Sequence, residues 1–201
     1  MTLKKRLALM LSVVATIGVI ATLASNGIDN PDTPIVSMLA SFKYFTIQSN
    51  IFVIFYFALL LSAKISENSL FKKLIGAVTA YITITFIVFV FMLQSTWHPE
   101  GIAQLGNIIN HYIVPILTIA FLVFYRKDYN FKMQDLIIWM IYPITYVLFL
   151  LLHGVITGDY IYPFFEIDEL GITYFLLAFF GIMILFFLIS IGEIILTKKK
   201  E

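Results

Sequence analysis

The sequence contains no cysteine, which excludes disulfide bonds, thiolate metal sites and a cysteine nucleophile. It is also poor in charge, because only 12% of its 201 residues are Asp, Glu, Lys or Arg, whereas 61% are hydrophobic. That balance lies far outside the usual range for a water-soluble domain of this size. The net charge of +1 provides no general attraction for an acidic polymer, so no nucleic-acid partner is expected.

Several local catalytic and metal-binding motifs are also missing. The histidines are far apart in the sequence and form no H-x-x-H or H-E-x-x-H pattern, so no metal site is predicted. Neither a glycine-rich phosphate loop nor a G-x-S-x-G nucleophile motif occurs. No cofactor is expected, and local motifs alone do not identify a reaction.

Long apolar runs dominate the chain instead. A spanning helix needs about 20 mostly apolar residues, because the hydrocarbon core of a bilayer is about 30 Å thick. Six segments meet this requirement, at about residues 7–25, 45–63, 74–94, 108–125, 136–153 and 172–196. They predict an all-α bundle of six transmembrane helices that forms a single integral membrane domain over residues 1–201 and contacts membrane lipids. The first run is long enough to span, so we expect a helix of the bundle rather than a cleaved signal peptide.

The basic residues predict the orientation of this bundle, because Lys and Arg are retained on the cytoplasmic side during insertion. With the amino terminus inside, every Lys and Arg from Lys4 to Lys200 falls in a cytoplasmic segment, except Lys43. The predicted outer loops instead carry acidic residues such as Glu100 and Asp159. We therefore expect both termini in the cytoplasm and a functional site that faces outward.

Polar residues gather at the outer ends of the predicted helices. They are Thr46, Gln48, Ser49 and Asn50 in the second helix, Asn110 and His111 in the fourth, His153 in the fifth, and Asp168 before the sixth. The spacing of three and four residues places Thr46, Ser49 and Asn50 on one helix face. Polar side chains within a membrane usually face protein or a water-filled cavity, so these groups are expected to converge in one layer.

Each of these residues also has a purely structural interpretation. Thr46, Ser49 and Asn50 could cap the helix or form hydrogen bonds between helices, and His111 could be a buried structural histidine. Pro115 has no amide hydrogen, so the carbonyl of His111 loses its intrahelical partner, and a kink or a water is expected there.

Four short motifs follow one another along the chain: Phe45-Thr46-Ile47-Gln48-Ser49-Asn50, Trp97-His98-Pro99, Asn110-His111-Tyr112 with Pro115, and Tyr162-Pro163-Phe164-Phe165. Together they resemble the androgen-induced protein family, which includes the androgen-dependent regulator of tissue factor pathway inhibitor and many bacterial six-helix proteins. The animal members are membrane threonine hydrolases that cleave fatty acid esters of hydroxy fatty acids. The resemblance implies Thr46 as the nucleophile, His111 as the base, a fatty acyl ester as the substrate, and a bacterial plasma membrane as the location.

The first functional hypothesis is therefore an intramembrane hydrolase of lipid esters, acting at the outer-leaflet boundary. A neighbouring imidazole could take the proton of the Thr46 hydroxyl and return it to the leaving alkoxide. Ser49 is an alternative nucleophile. The remaining candidates are Gln48, Asn50 and Asn110 as donors to the oxyanion, and Asp168 or His153 as the group that orients the base.

Two competing hypotheses need no catalysis. Polar groups inside a bundle, together with prolines at positions 115 and 143, also suggest a small multi-pass transporter. A third hypothesis is a lipid-binding protein without catalysis or a scaffold that binds a partner in the membrane, and normal function after replacing Thr46 and His111 together would support the scaffold. Turnover that depends on Thr46 would distinguish the hydrolase from both.

Overall fold

The computed structural model describes residues 1–199 and is all-α. Within these residues, five helical segments are long and apolar enough to cross a membrane: Leu3–Asp29, Ser69–Leu93, Gly101–Phe124, Asp135–Thr157 and Ile167–Thr197. A sixth crossing is counted when Pro34–Lys43 and Phe45–Leu59, which meet at a bend of 82°, are taken as one broken span. The protein is thus an integral membrane protein with five or six candidate spans. Lys200, which contributed to the count of basic residues, lies outside the described residues.

The helices are numbered along the chain. They are α1 (Leu3–Asp29), α2 (Pro34–Ala40), α3 (Phe45–Leu59), α4 (Ala63–Ser66), α5 (Ser69–Val88), α6 (Gly101–Ile108), α7 (Val114–Phe124), α8 (Asp135–Thr157) and α9 (Ile167–Thr197). Two π-helical turns interrupt the regular spans: Phe89–Leu93 extends α5, and Ile109–Ile113 joins α6 to α7. Gly171, at a φ of 80°, breaks the first turn of α9 away from the rest of that helix.

Helix α3 is short for a spanning helix. Its 15 residues correspond to a length of about 22 Å, which is less than the hydrocarbon thickness of about 30 Å. We expected this helix to continue to about residue 63, but the chain turns after Leu59, and Ser62 has the extended backbone that begins α4. The end of α3 still lies near the start of α1, because Lys5 Nζ in α1 donates to the carbonyl of Leu61, two residues beyond α3, at 2.8 Å.

The two described termini lie at the same end of the bundle. Lys4 Nζ in α1 is 2.6 Å from Asp128 Oδ2 in the α7–α8 connection. Thr197, at the end of α9, accepts a hydrogen bond from the backbone of that same connection. At the opposite end, Lys43 pairs with Asp159 at 2.5 Å and thereby joins the α1–α3 and α8–α9 connections. We call these the amino-terminal end and the distal end.

Helix α5 lies in the centre and contacts α3, α7, α8 and α9, whereas α1 packs against α3 and α6. Trp139 of α8 is fully buried against α5, where its Nε1 donates to the carbonyl of Lys73 and its ring fills the space over Gly76. Tyr81 donates to the carbonyl of Trp139 at 2.6 Å. Beside these contacts Lys73 Nζ pairs with the buried Asp135 at 2.7 Å, which fixes α5 against α8 near the amino-terminal end.

Candidate active site

Thr46 and His111 meet at the distal end of the bundle. Thr46 is the second residue of α3, and its Oγ1 lies 3.1 Å from Nε2 of His111, which belongs to the π-helical turn between α6 and α7. His111 is only 7% exposed, while Thr46 is half-buried. A hydroxyl and an imidazole nitrogen are therefore in hydrogen-bonding contact within the protein interior.

The second ring nitrogen determines the direction of that hydrogen bond. His111 Nδ1 lies 3.2 Å from the backbone carbonyl oxygen of Asn107. A carbonyl can only accept, so Nδ1 carries the proton in this contact and Nε2 presents its lone pair. The Thr46 hydroxyl then donates to Nε2, which is the arrangement required for a general base beside a nucleophile.

The π-helical turn explains how His111 reaches this position. Pro115 cannot donate to the carbonyl of His111, and the backbone widens so that Val114 N–H bonds to the carbonyl of Ile109, five residues earlier. The expected break in regular helix thus takes the form of a π-helical turn. It places both Asn110 and His111 in the interior, at 1% and 7% exposure.

Aromatic rings hold the imidazole in place. The Phe89 ring stacks on His111 with centroids 3.9 Å apart and planes inclined by 21°, and Trp97 meets the imidazole edge-on at 6.1 Å. Phe89 itself begins the other π-helical turn, which bonds Gln94 N–H to the Phe89 carbonyl. Two irregular turns on neighbouring spans therefore shape one site, and π-helical turns occur frequently at functional sites.

Thr46 and His111 line two cavities of different character. One is a narrow apolar slot of about 70 Å³ between α3, α5, α8 and α9, whose lining includes Ile84, Met183 and Phe186. The other is a more polar vestibule of about 440 Å³ under the distal connections. Both the hydroxyl and the imidazole stand at the junction of these spaces.

Three other predicted residues form the frame of the site. Asn50 donates to the carbonyls of Thr46 and Asn110, at 2.8 and 3.3 Å, and Ser49 lies within hydrogen-bonding distance of the Thr46 carbonyl and the Thr85 hydroxyl. Asn110 donates to the carbonyl of Gly18 in α1 at 3.0 Å. The amide nitrogens of Asn50 and Asn110 are thus already engaged, which leaves them poor candidates for the predicted role as oxyanion donors.

The remaining predicted residues lie elsewhere. Gln48 donates to the Phe42 carbonyl and accepts from Tyr142, and it lines a separate lateral cavity together with His153. Asp168 is exposed in the first turn of α9. Within residues 1–199 no hydrogen bond joins His153 or Asp168 to His111, and the orienting position that we assigned to one of them is occupied by a backbone carbonyl.

Two hydrogen-bond donors near Thr46 were not anticipated. The Thr46 N–H is one of the first amides of α3, which have no intrahelical acceptor, and it forms no hydrogen bond within residues 1–199. The Tyr162 hydroxyl lines both cavities and accepts from the Phe45 N–H at 3.0 Å, so its own proton is available. Burial raises the pKa of Tyr162 to about 12, which keeps this donor protonated at neutral pH.

Comparison with known proteins gives no relative for this chain. No family model matches it, and neither does any curated protein or solved structure. Within residues 1–199 no three His, Cys, Asp or Glu side chains are grouped closely enough to hold a metal ion. The site is therefore defined by the Thr46–His111 pair, its two cavities and the donors around it.

Proposed function

We propose that the protein is an intramembrane hydrolase of fatty acyl esters, with Thr46 as nucleophile and His111 as general base, and that it belongs to the bacterial branch of the androgen-induced protein family. The observation that carries this proposal is the 3.1 Å contact from the Thr46 hydroxyl to an imidazole whose other nitrogen is held by the Asn107 carbonyl. The paired groups have the same relation as the hydroxyl and imidazole of a serine hydrolase, with a backbone carbonyl in the orienting position.

The proposed acylation uses this pair of groups. Thr46 Oγ1 attacks the ester carbonyl carbon while its proton passes to His111 Nε2, and the carbonyl π electrons move onto oxygen. The resulting oxyanion would be stabilised by the Thr46 N–H at the positive end of α3 and by the Tyr162 O–H. His111 then returns its proton to the leaving alkoxide, which departs as an alcohol and leaves an acyl ester on Thr46.

Deacylation uses the same base. A water in the polar vestibule gives a proton to His111 Nε2 and attacks the acyl carbon, after which His111 protonates Thr46 Oγ1 and the carboxylic acid is released. Asn107 supports this step, because its buried side-chain oxygen Oδ1 has no partner within residues 1–199 and the residue lines the vestibule. An unpartnered buried acceptor of this kind is satisfied by a water molecule.

The two cavities favour a lipid ester over a soluble one. The apolar slot extends from Thr46 between the spanning helices toward Phe186, and at about 70 Å³ it suits the first few carbons of a hydrocarbon chain. The vestibule contains amide and hydroxyl groups, including Asn26 and Thr96, so it suits water and the more polar part of the substrate. A lipid would then place its ester where the apolar and polar spaces meet.

We also propose that the amino-terminal end faces the cytoplasm. Lys4, Lys5, Lys72 and Arg126 lie at this end, where the positive-inside rule places basic residues. The distal end, with Thr46 and His111, would then face the outer leaflet of a bacterial plasma membrane.

The decisive experiment combines fluorophosphonate labelling with turnover of a fluorogenic fatty acyl ester, using detergent-solubilised protein. The variants are Thr46→Ala, His111→Gln and Ser49→Ala, with Thr145→Ala as a matched control on the exposed face of α8. Thermal unfolding and gel filtration establish that each variant is folded. We expect Thr46→Ala to abolish labelling and turnover, and His111→Gln to lower turnover by about 10²–10⁴-fold.

The outcomes separate the alternatives. Turnover that survives in Thr46→Ala but is lost in Ser49→Ala would move the nucleophile to Ser49. Ester binding by folded wild type without labelling or turnover would replace the hydrolase with a lipid-binding protein.

A further inference from the structure

A second polar cavity lies at the amino-terminal end of the bundle, whereas Thr46 lies at the distal end. It has a volume of about 350 Å³ and is bounded by the start of α1, the end of α3 and the α7–α8 connection. Three lysines, Lys4, Lys5 and Lys72, contribute to its lining. Nothing in the proposed hydrolysis uses this cavity.

The charges around the cavity are incompletely neutralised. Lys4 pairs with Asp128 at 2.6 Å, and Lys72 pairs with Glu67 at 2.7 Å. The Lys5 ammonium, which is half-buried, bonds only to the carbonyl of Leu61 at 2.8 Å. Three ammonium groups therefore face two carboxylates, and the positive charge of Lys5 has no anionic partner within residues 1–199.

Two buried tyrosines line the same cavity with unused hydroxyls. Tyr56 and Tyr129 are each 3% exposed, and neither hydroxyl oxygen has a hydrogen-bond partner of normal geometry within the described residues, although the two hydroxyls and the Lys4 ammonium lie near one another. Leaving a buried hydroxyl unpaired costs about 1–3 kcal/mol, so two of them in one cavity indicate an occupant that accepts their protons.

We propose that this cavity binds a phosphate-bearing anion, whose oxygens accept from the Lys5 ammonium and from the Tyr56 and Tyr129 hydroxyls. Phosphate offers several acceptor oxygens on one centre, and its negative charge would provide the anionic partner that the Lys5 ammonium lacks. A cation would instead face a surplus of ammonium groups. The headgroup of an anionic phospholipid and free inorganic phosphate share this chemistry, and the experiment separates them.

The experiment uses the purified full chain after delipidation, with thermal unfolding and native mass spectrometry as readouts. One arm titrates phosphatidylglycerol against phosphatidylcholine of the same acyl chains in mixed micelles. The other arm titrates inorganic phosphate against chloride at matched ionic strength. We expect phosphatidylglycerol, phosphate or both to raise the unfolding temperature, and the arm that responds identifies the source.

Three variants test the assigned contacts. Lys5→Gln should require at least fivefold more ligand for half of the thermal shift, whereas Lys127→Gln, an exposed lysine of the same end outside the cavity, should behave like wild type. Tyr129→Phe should also weaken binding severalfold, while the ligand-free protein keeps or gains stability because an unpaired buried hydroxyl is removed. Tyr56→Phe serves as a second conservative variant if Tyr129→Phe does not fold.

Two results would overturn the proposal. The first is a wild type that neither anion stabilises and that retains no phosphatidylglycerol in preference to phosphatidylcholine. The second is an equal loss in Lys5→Gln and Lys127→Gln, since general surface attraction would then account for the binding.

Discussion

Replacing Gly18 by alanine tests the proposed site through a residue that takes no part in the chemistry. Gly18 lies in α1 directly against the π-helical turn that carries His111. A Cβ at this position would overlap the side-chain oxygen of Asn110 and lie 2.6 Å from Cγ2 of Ile109. Ordinary carbon–carbon contacts are about 3.5–4.0 Å, so the side chains of Ile109 and Asn110, and the turn that carries them, must move away by about 1 Å.

The expected effect on catalysis follows from that displacement. A misplacement of about 1 Å can cost about 100-fold in rate, so Gly18→Ala should lower kcat for the fluorogenic ester by about two orders of magnitude. Overpacking should also lower the free energy of unfolding by about 1–3 kcal/mol. The measurement is kcat at saturating substrate, together with thermal unfolding in the same detergent.

Two glycine-to-alanine controls isolate the local effect. Gly181 in α9 has no atom within 4 Å of its added Cβ, so Gly181→Ala should leave both quantities unchanged. Gly76→Ala would push Trp139 away near the amino-terminal end, so it should lower stability while kcat stays near that of wild type. A wild-type kcat in Gly18→Ala, or an equal loss of kcat in Gly76→Ala, would refute the reasoning.

Three further predictions concern stability and orientation. Lys73→Met should lower the free energy of unfolding by about 1–3 kcal/mol in a denaturant titration, because it leaves the 2%-exposed Asp135 side chain without its ion partner. Lys127→Met should have no such effect, and equal losses in the two variants would contradict the role assigned to the Lys73–Asp135 pair. The hydrogen bond from Lys43 lowers the pKa of Asp159 below its ordinary 3.8, so the stabilisation from this pair should be present at neutral pH and be lost as the pH falls through that lowered value. In a plot of unfolding temperature against pH, Asp159→Asn should reduce this loss of stability at acid pH. An unchanged loss would contradict the prediction. A topology reporter fused after Asp159 should be external and one after Lys127 cytoplasmic, and the reverse result would invert the proposed orientation.

The membrane bundle itself could be predicted from the sequence, and the all-α fold is confirmed. Apolar runs of this length have no other stable arrangement in a bilayer, so composition alone sufficed. The details of α3 could not be predicted, because an apolar run does not reveal where its helix stops. The chain turns after Leu59, Ser62 is extended, and the 82° bend lies before Phe45, where α2 and α3 both pack against α1.

The proximity of Thr46 and His111 was expected, because both stand near the same end of their predicted helices, and the structure places them in contact; their catalytic roles remain predictions. The partner of His111 could not be found by inspecting side chains, since it is the carbonyl of Asn107 and depends on a π-helical turn. Pro115 was the available signal, because it indicates irregular backbone one turn earlier. Tyr162 lies more than 100 residues from Thr46, and only its aromatic motif drew attention to it.

The group that orients His111 is a main-chain carbonyl, and this affects what mutagenesis can detect. A carboxylate in that position could be deleted by one codon change, and its loss would be visible as a mutant phenotype. A main-chain oxygen is supplied by whichever amino acid occupies position 107, so no substitution removes the atom itself. Under the proposed hydrolysis, side-chain substitutions would therefore reveal Thr46 and His111 but not the main-chain oxygen that orients the imidazole. Pro115 is a position at which substitution should disturb this arrangement, because an added N–H could bond to the carbonyl of His111 and let the π-helical turn close.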